Sequence, residues 1–164
     1  MTRQTEPDSP ATVGALRRSG WQAVPIRVEL RRNLMQRLAE GATVFPGIVG
    51  YEHSVLPQIE NAILAGQDII LLGERGQAKT RIIRSLTALL DEWTPILDEC
   101  EIPENPFTPI SASGRALVAE RGDDAPVRWL HRDERYGEKL ATPDITIADL
   151  IGEVDPIKVA EGRY

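Results

Sequence analysis

DIILLGERGQAKTRIIRSLTALL, residues 68–90, places a short apolar run, a glycine loop and an amphipathic repeat end to end. The run Ile69–Leu72 is continuous and half β-branched, which suits a strand covered on both faces, as in a parallel sheet. After the loop, Ile82, Ile83, Leu86, Leu89 and Leu90 recur at i, i+1, i+4, i+7 and i+8, the signature of a helix with a broad buried face. Between them lies GERGQAKT, Gly73–Thr80.

A phosphate-binding loop needs a strand to aim it, consecutive backbone N–H groups that converge on an anion, and a helix whose N-terminus adds positive dipole. The stretch supplies these in order. Gly73 permits the turn off the strand, and Gly76 lets the backbone approach phosphate without a Cβ in the way. Lys79 is placed to reach the β- and γ-phosphates and the Thr80 hydroxyl to bind Mg²⁺. The pattern G-x-x-x-x-G-K-[ST] asks for glycine where Ala78 stands. Alanine is excluded there only if the position requires positive φ or touches the ligand. The plainer alternative is a strand-to-helix turn that happens to carry Lys-Thr.

Upstream, PIRVELRRNLMQRLAEG, residues 25–41, puts Val28, Leu30, Leu34 and Leu38 on one helical stripe, its charged face solvated, with Gly41 as the C-terminal stop. FPGIVGYEHS, residues 45–54, reads as a loop. Ser54 is the expected cap of a helix over VLPQIENAILAG, with Val55, Ile59, Ala62 and Ile63 inward and Gly66 closing it. Pro57 is tolerated in the first turn. Downstream the signals weaken. One strand is expected around Phe107–Ser111 and another around Val127–Leu130, with short helices in TIADLIG and in DPIKVAEG, the latter ending at Gly162. Residues 1–13 are polar with Pro7 and Pro10 and read as a disordered tail, 14–44 as an N-terminal helical segment, and 45–164 as the N-terminal part of a domain.

With 164 residues, 41% hydrophobic and 27% charged, the chain is long enough for one globular core. A net charge of -6 argues against a nucleic-acid partner, which needs clustered cations. No run approaches the roughly 18 apolar residues of a membrane span, and the N-terminus has no apolar signal core, so the cytoplasm is expected. Cys100 is the single cysteine, which rules out an internal disulfide, and Asp98, Glu99 and Glu101 beside it disfavour the thiolate. His53 and His131 stand far apart with no partner at zinc-ligand spacing. Asp123-Asp124 suits a turn before Pro126, HRDERYGEK at 131–139 an exposed loop or subunit surface, and Trp93 and Trp129 packing.

The loop resembles that of the MoxR-type AAA+ ATPases, in which Ala often precedes the Lys, and GERG is similar to the loop of the magnesium chelatase ATPase subunit. FPGIVGYEHSVLPQIENAILAGQDIILLGERGQAKT, from Phe45, resembles the family's opening, and LATPDITIADLIGEVDPIKVAEG, residues 140–162, its approach to the hydrolytic strand. The resemblance implies an α/β fold: part of a P-loop NTPase three-layer core with a parallel sheet, preceded by an N-terminal helix. It implies Mg-ATP as cofactor, held by Gly73, Glu74, Arg75, Gly76, Gln77, Ala78, Lys79, Thr80 and Arg81, with Thr80 on the metal and Ile48 and Val49 against adenine. It also implies a homo-oligomeric ring in the full-length relatives and a chelatase or von Willebrand A type partner.

By the same resemblance the Walker B strand, sensor residues, arginine finger and lid would follow Tyr164, so an N-terminal fragment is expected that binds ATP and hydrolyses it poorly. Two Asp-Glu pairs imitate Walker B. ALLDE, ending at Asp91 and Glu92, continues the helix from Lys79. PILDE, ending at Asp98 and Glu99, has two apolar residues after a proline and no room for the intervening strand and helix. Both read as decoys, and no catalytic residue is assigned. The competing expectation is a non-enzymatic interaction module or remnant that docks to full-length ATPase subunits and exposes apolar surface.

Overall fold

The structure, a computed structural model, describes residues 9–140, 142–154 and 156–160. In chain order it comprises α1 (Val13–Arg18), α2 (Ile26–Ala39), α3 (Val55–Leu64), α4 (Lys79–Ser85), β1 (Trp93–Leu97), α5 (Ala112–Arg121), β2 (Val127–His131), α6 (Ala148–Ile151) and α7 (Pro156–Ala160). Short 3₁₀ turns occupy Leu86–Leu89, Gly122–Asp124 and Arg132–Arg135.

Local chemistry sets the helix ends. After α2 the Gly41 N–H bonds Leu38 O and the Ala42 N–H bonds Arg37 O; after α3 the Gly66 N–H bonds Ile63 O and the Gln67 N–H bonds Ala62 O. This paired reversal satisfies the last carbonyls and needs a left-handed residue, supplied at Gly66 by φ +67. Ser54 makes no side-chain cap bond, contrary to expectation. Thr12 and Ser111 do cap, accepting from the N–H groups of Ala15 and Gly114.

Of the expected α3 stripe, Ile59 and Ile63 are buried and Val55 and Ala62 are half-buried, while Leu56, outside the expected stripe, is buried with them. The α2 stripe does not hold. Leu34 is buried and Leu30 packs on the core, but Val28 and Leu38 are exposed, and Glu29 on the supposedly solvated face is buried. Ile82, Leu89 and Leu90 are buried after the loop, while Ile83 stays exposed.

The sheet overturns the expected architecture. Among the described residues it is two-stranded and antiparallel, β1 against β2, so the parallel-sheet three-layer P-loop core is not the fold. The run 69–72 forms no strand. Ile69 and Leu71 pack against the core while Ile70 (83%) and Leu72 (89%) face solvent, so one face is covered where two were expected. No backbone hydrogen bond of Asp68–Leu72 is made among the described residues. A strand exists only by pairing, and apolar periodicity does not specify the partner.

The expected strand around Phe107–Ser111 is also not found; that region is irregular and leads into α5, which sequence periodicity left unread. PILDE, a decoy for the Walker B strand, contributes Pro95–Leu97 to β1. Thr94 lies opposite Leu130, and the flanking bonds Arg132 N–H to Glu92 O and Asp98 N–H to Pro126 O give the same parity. Thr94 and Ile96 therefore bond β2, while Trp93, Pro95 and Leu97 face the open edge, where the Leu97 N–H reaches Glu104 O at 3.0 Å. Proline sits on that edge, where its missing N–H breaks no ladder bond.

Two apolar clusters result. One gathers Leu34, Val44, Phe45, Ile48, Leu56, Ile59, Ile63, Ile82 and Leu89 under α2, α3 and α4. The other joins Val13 and Leu16 of α1 to Leu97, Ala125 and Val127 of the sheet region. Residues 1–8 of the expected tail lie outside the described residues. Its remainder is held: the Val127 N–H bonds Ala11 O at 2.9 Å and Trp129 Nε1 donates to Pro10 O at 3.0 Å. The short helices expected in TIADLIG and DPIKVAEG correspond to α6 and α7; Gly162 lies outside the described residues.

Candidate functional site

Gly66 stops α3, the segment 67–72 lies over the first core, and the chain turns at Arg75 and Gly76 before α4 begins at Lys79. The dihedrals of this turn carry the chemistry. Gly76 has φ +83 and Ala78 has φ 55, while Arg75 and Gln77 are not among the positive-φ residues. Alternating signs of φ curl the backbone so that successive N–H groups face one side, which makes a nest for an anion. The hollow of ≈ 470 Å³ so formed is lined by Arg75, Gly76, Gln77, Ala78, Lys79, Thr80 and Arg81.

Ala78 at φ 55, ψ 12 is left-handed. The position does take positive φ, the condition under which sequence reading excluded alanine. For a residue with Cβ this conformation costs roughly 1–2 kcal/mol and is not forbidden. The surrounding loop must therefore hold Ala78 there.

Lys79 closes the loop on itself. Its ammonium has three donors. One reaches Gly73 O at 2.7 Å and another Glu74 O, which leaves the third for a ligand. Arg75 and Arg81 form no ion pair, and Thr80 Oγ1 no hydrogen bond, among the described residues. In a chain of net charge -6, this hollow gathers three cations against Glu74. The Gln77 carboxamide lies over the Gly73 α-carbon, its Oε1 2.1 Å from where a Cβ would stand, so no larger residue fits there without moving Gln77.

The segment 45–51 comes to the same place. The Arg81 guanidinium lies against Gly47, with Nη2 2.7 Å from the position of a Cβ. The Tyr51 hydroxyl donates to Gln77 O at 3.4 Å. The two residues assigned to adenine separate: the Ile48 side chain is buried in the first core, and Val49 is 82% exposed. Tyr51 escaped sequence reading; its only signal is its place in the segment that precedes α3.

Three of the four Asp-Glu carboxylates are engaged elsewhere. Asp91 accepts from Arg32 at 2.6 Å and Asn33 at 2.9 Å. Partial burial raises the Asp91 pKa, but these donors outweigh it and the net shift is downward. Asp98 pairs with Arg128 at 3.5 Å and Glu99 with Arg121 at 3.0 Å. No group of three or more His, Cys, Asp or Glu side chains is placed to hold a metal among the described residues. Burial, then the charges of Glu104, Asp98 and Glu99, push the Cys100 thiol up. No described helix is long and apolar enough to cross a membrane.

The chain matches no protein-family model, no curated protein and no solved structure.

Proposed function

We propose that the chain binds a magnesium-bound nucleoside polyphosphate, ATP or ADP, through Gly73–Thr80. The observation that carries this reading is the alternation of φ across Gly76, Gln77 and Ala78 directly before Lys79, the pattern of an anion-binding nest, beside an ammonium with one donor left over. Phosphate oxygens would take those amides and the third donor of Lys79, with Arg75 and Arg81 neutralising further charge. Thr80 Oγ1 would be one ligand of Mg²⁺, which screens the phosphate charges when bound. The likeness of residues 45–80 to the MoxR and magnesium chelatase ATPases supports adenine as the base. The reading is of binding, since Asp91, Asp98 and Glu99 are held by arginines elsewhere.

Calorimetric titration of Mg-ATP and Mg-ADP into the chain and its Lys79→Ala variant tests this. The variant is expected to bind at least about tenfold more weakly, the loss of a charge-assisted contact of about 1.5–3 kcal/mol. Equal affinities would remove the phosphate-loop reading.

A second reading, a docking module without catalysis, is favoured by the exposure of Ile70, Leu72, Ile147, Ile151 and Val154. Sedimentation over a range of concentrations separates the two: a compact monomer at every concentration counts against self-docking.

A further inference from the structure

We infer that Tyr51 is a positioning residue of this loop: its hydroxyl holds the Gln77 carbonyl outward and so aims the Ala78 amide into the hollow. The inference rests on the nucleotide reading for the nature of the ligand, and on geometry for the contact. The Gln77–Ala78 peptide is trans, as are the described peptide bonds throughout. In a planar trans peptide the C=O of one residue and the N–H of the next point in opposite directions. Tyr51 donates to Gln77 O at 3.4 Å, so the Ala78 N–H points away from the tyrosine.

The tyrosine comes from a firm base. Its ring packs against the first core, and its backbone carbonyl accepts from the N–H groups of Ser54 and Leu56 at 3.2 and 3.1 Å, at the start of α3. The loop itself is where strain lies. Ala78 occupies a left-handed conformation that residues with a Cβ disfavour, and rotating the 77–78 peptide plane would relieve it. That rotation would turn the Gln77 carbonyl into the hollow, against an anion, and withdraw the Ala78 N–H. A donor fixed outside the loop opposes it. Tyr51 is placed to be that donor, and the hydroxyl alone carries the effect.

Tyr51→Phe keeps the ring and removes the donor. Calorimetry with Mg-ADP on the full chain is expected to show affinity weaker by about three- to tenfold, the range of one hydrogen bond. In the Ala78→Gly background the same change is expected to cost under about twofold, because glycine holds positive φ without strain. Equal losses in both backgrounds would mean that Tyr51 merely supports the fold, and no loss in either would remove the role. The Ala78 ¹⁵N–¹H resonance of the ligand-free chain gives an independent readout. It is expected to shift in Tyr51→Phe, and an unmoved resonance overturns the contact whatever the loop binds. If the unaltered chain and Lys79→Ala both fail to bind Mg-ADP, the nucleotide reading falls and the anion role assigned to Tyr51 falls with it, an outcome distinct from binding that ignores Tyr51.

Discussion

Glu29 and Arg135, 106 positions apart in sequence, meet as a bidentate ion pair inside the protein, Nη1 to Oε1 and Nη2 to Oε2 each 2.7 Å. Arg135 Nη1 also donates to Thr94 Oγ1 at 2.8 Å, and Glu29 Oε1 accepts from the Asp91 N–H at 2.7 Å. The cluster ties α2 to β1 and to the turn after β2. Arg135 belongs to the stretch that sequence reading placed in an exposed loop.

Removing one partner strands a buried charge. Glu29→Met or Arg135→Met is expected to destabilise the fold by about 3–5 kcal/mol, whereas the double replacement Glu29→Met with Arg135→Met should recover most of the loss. Urea unfolding of the four chains checks this. Additive losses in the double variant would refute the coupling.

Leu34 and Leu16, both fully buried, belong to different clusters. Each Leu→Ala change is expected to cost about 2–5 kcal/mol through lost transfer energy and cavity formation. Because the clusters share no residue, the two losses should sum to within about 0.5 kcal/mol. A larger discrepancy in denaturant midpoints would show that the clusters are one cooperative core.

Glu104 ties the loop after β1 to the start of α5. The Ser111 hydroxyl, then the backbone N–H groups of Ser111 and Ile110, hold its carboxyl below the ordinary 4.5. A carboxyl depressed in the folded state contributes stability that is fully present above its unfolded value and lost as pH falls through its folded value. The gap in melting temperature between the chain and Glu104→Gln should therefore be constant from pH 7 to about 5 and close as pH falls below 4.5. A gap that persists unchanged to pH 3 would contradict this account.

Cys100 is half-buried with its thiol shifted upward. Since the thiolate is the reactive form, alkylation by iodoacetamide at pH 8 should be slower in the folded chain than in urea. Matching rates would show that burial and the neighbouring carboxylates leave the thiol unaffected.

The sequence by itself determined what adjacent residues decide. Gly41 and Gly66 end their helices because a left-handed residue after the last turn satisfies carbonyls only a few positions away. The run from Gly73 to Thr80 encodes its own turn, and residues 75–81 line one hollow. Val127–Leu130 was legible as a strand for the same local reason, its β-branched and aromatic residues.

Only tertiary structure decided what needs a partner from far along the chain. Ile69–Leu72 has the composition of a buried strand, yet becomes one only where another strand offers its backbone, and none of the described residues does. Trp93–Leu97 has weaker local signals and is a strand because β2 lies beside it. Glu29 looks like a solvated helix charge until Arg135 arrives to bury it. Ile48 and Val49, adjacent in sequence, part because the first core takes one and leaves the other to solvent. Periodicity records a residue's affinity for water; which group removes it from water is a long-range contact that local sequence does not encode.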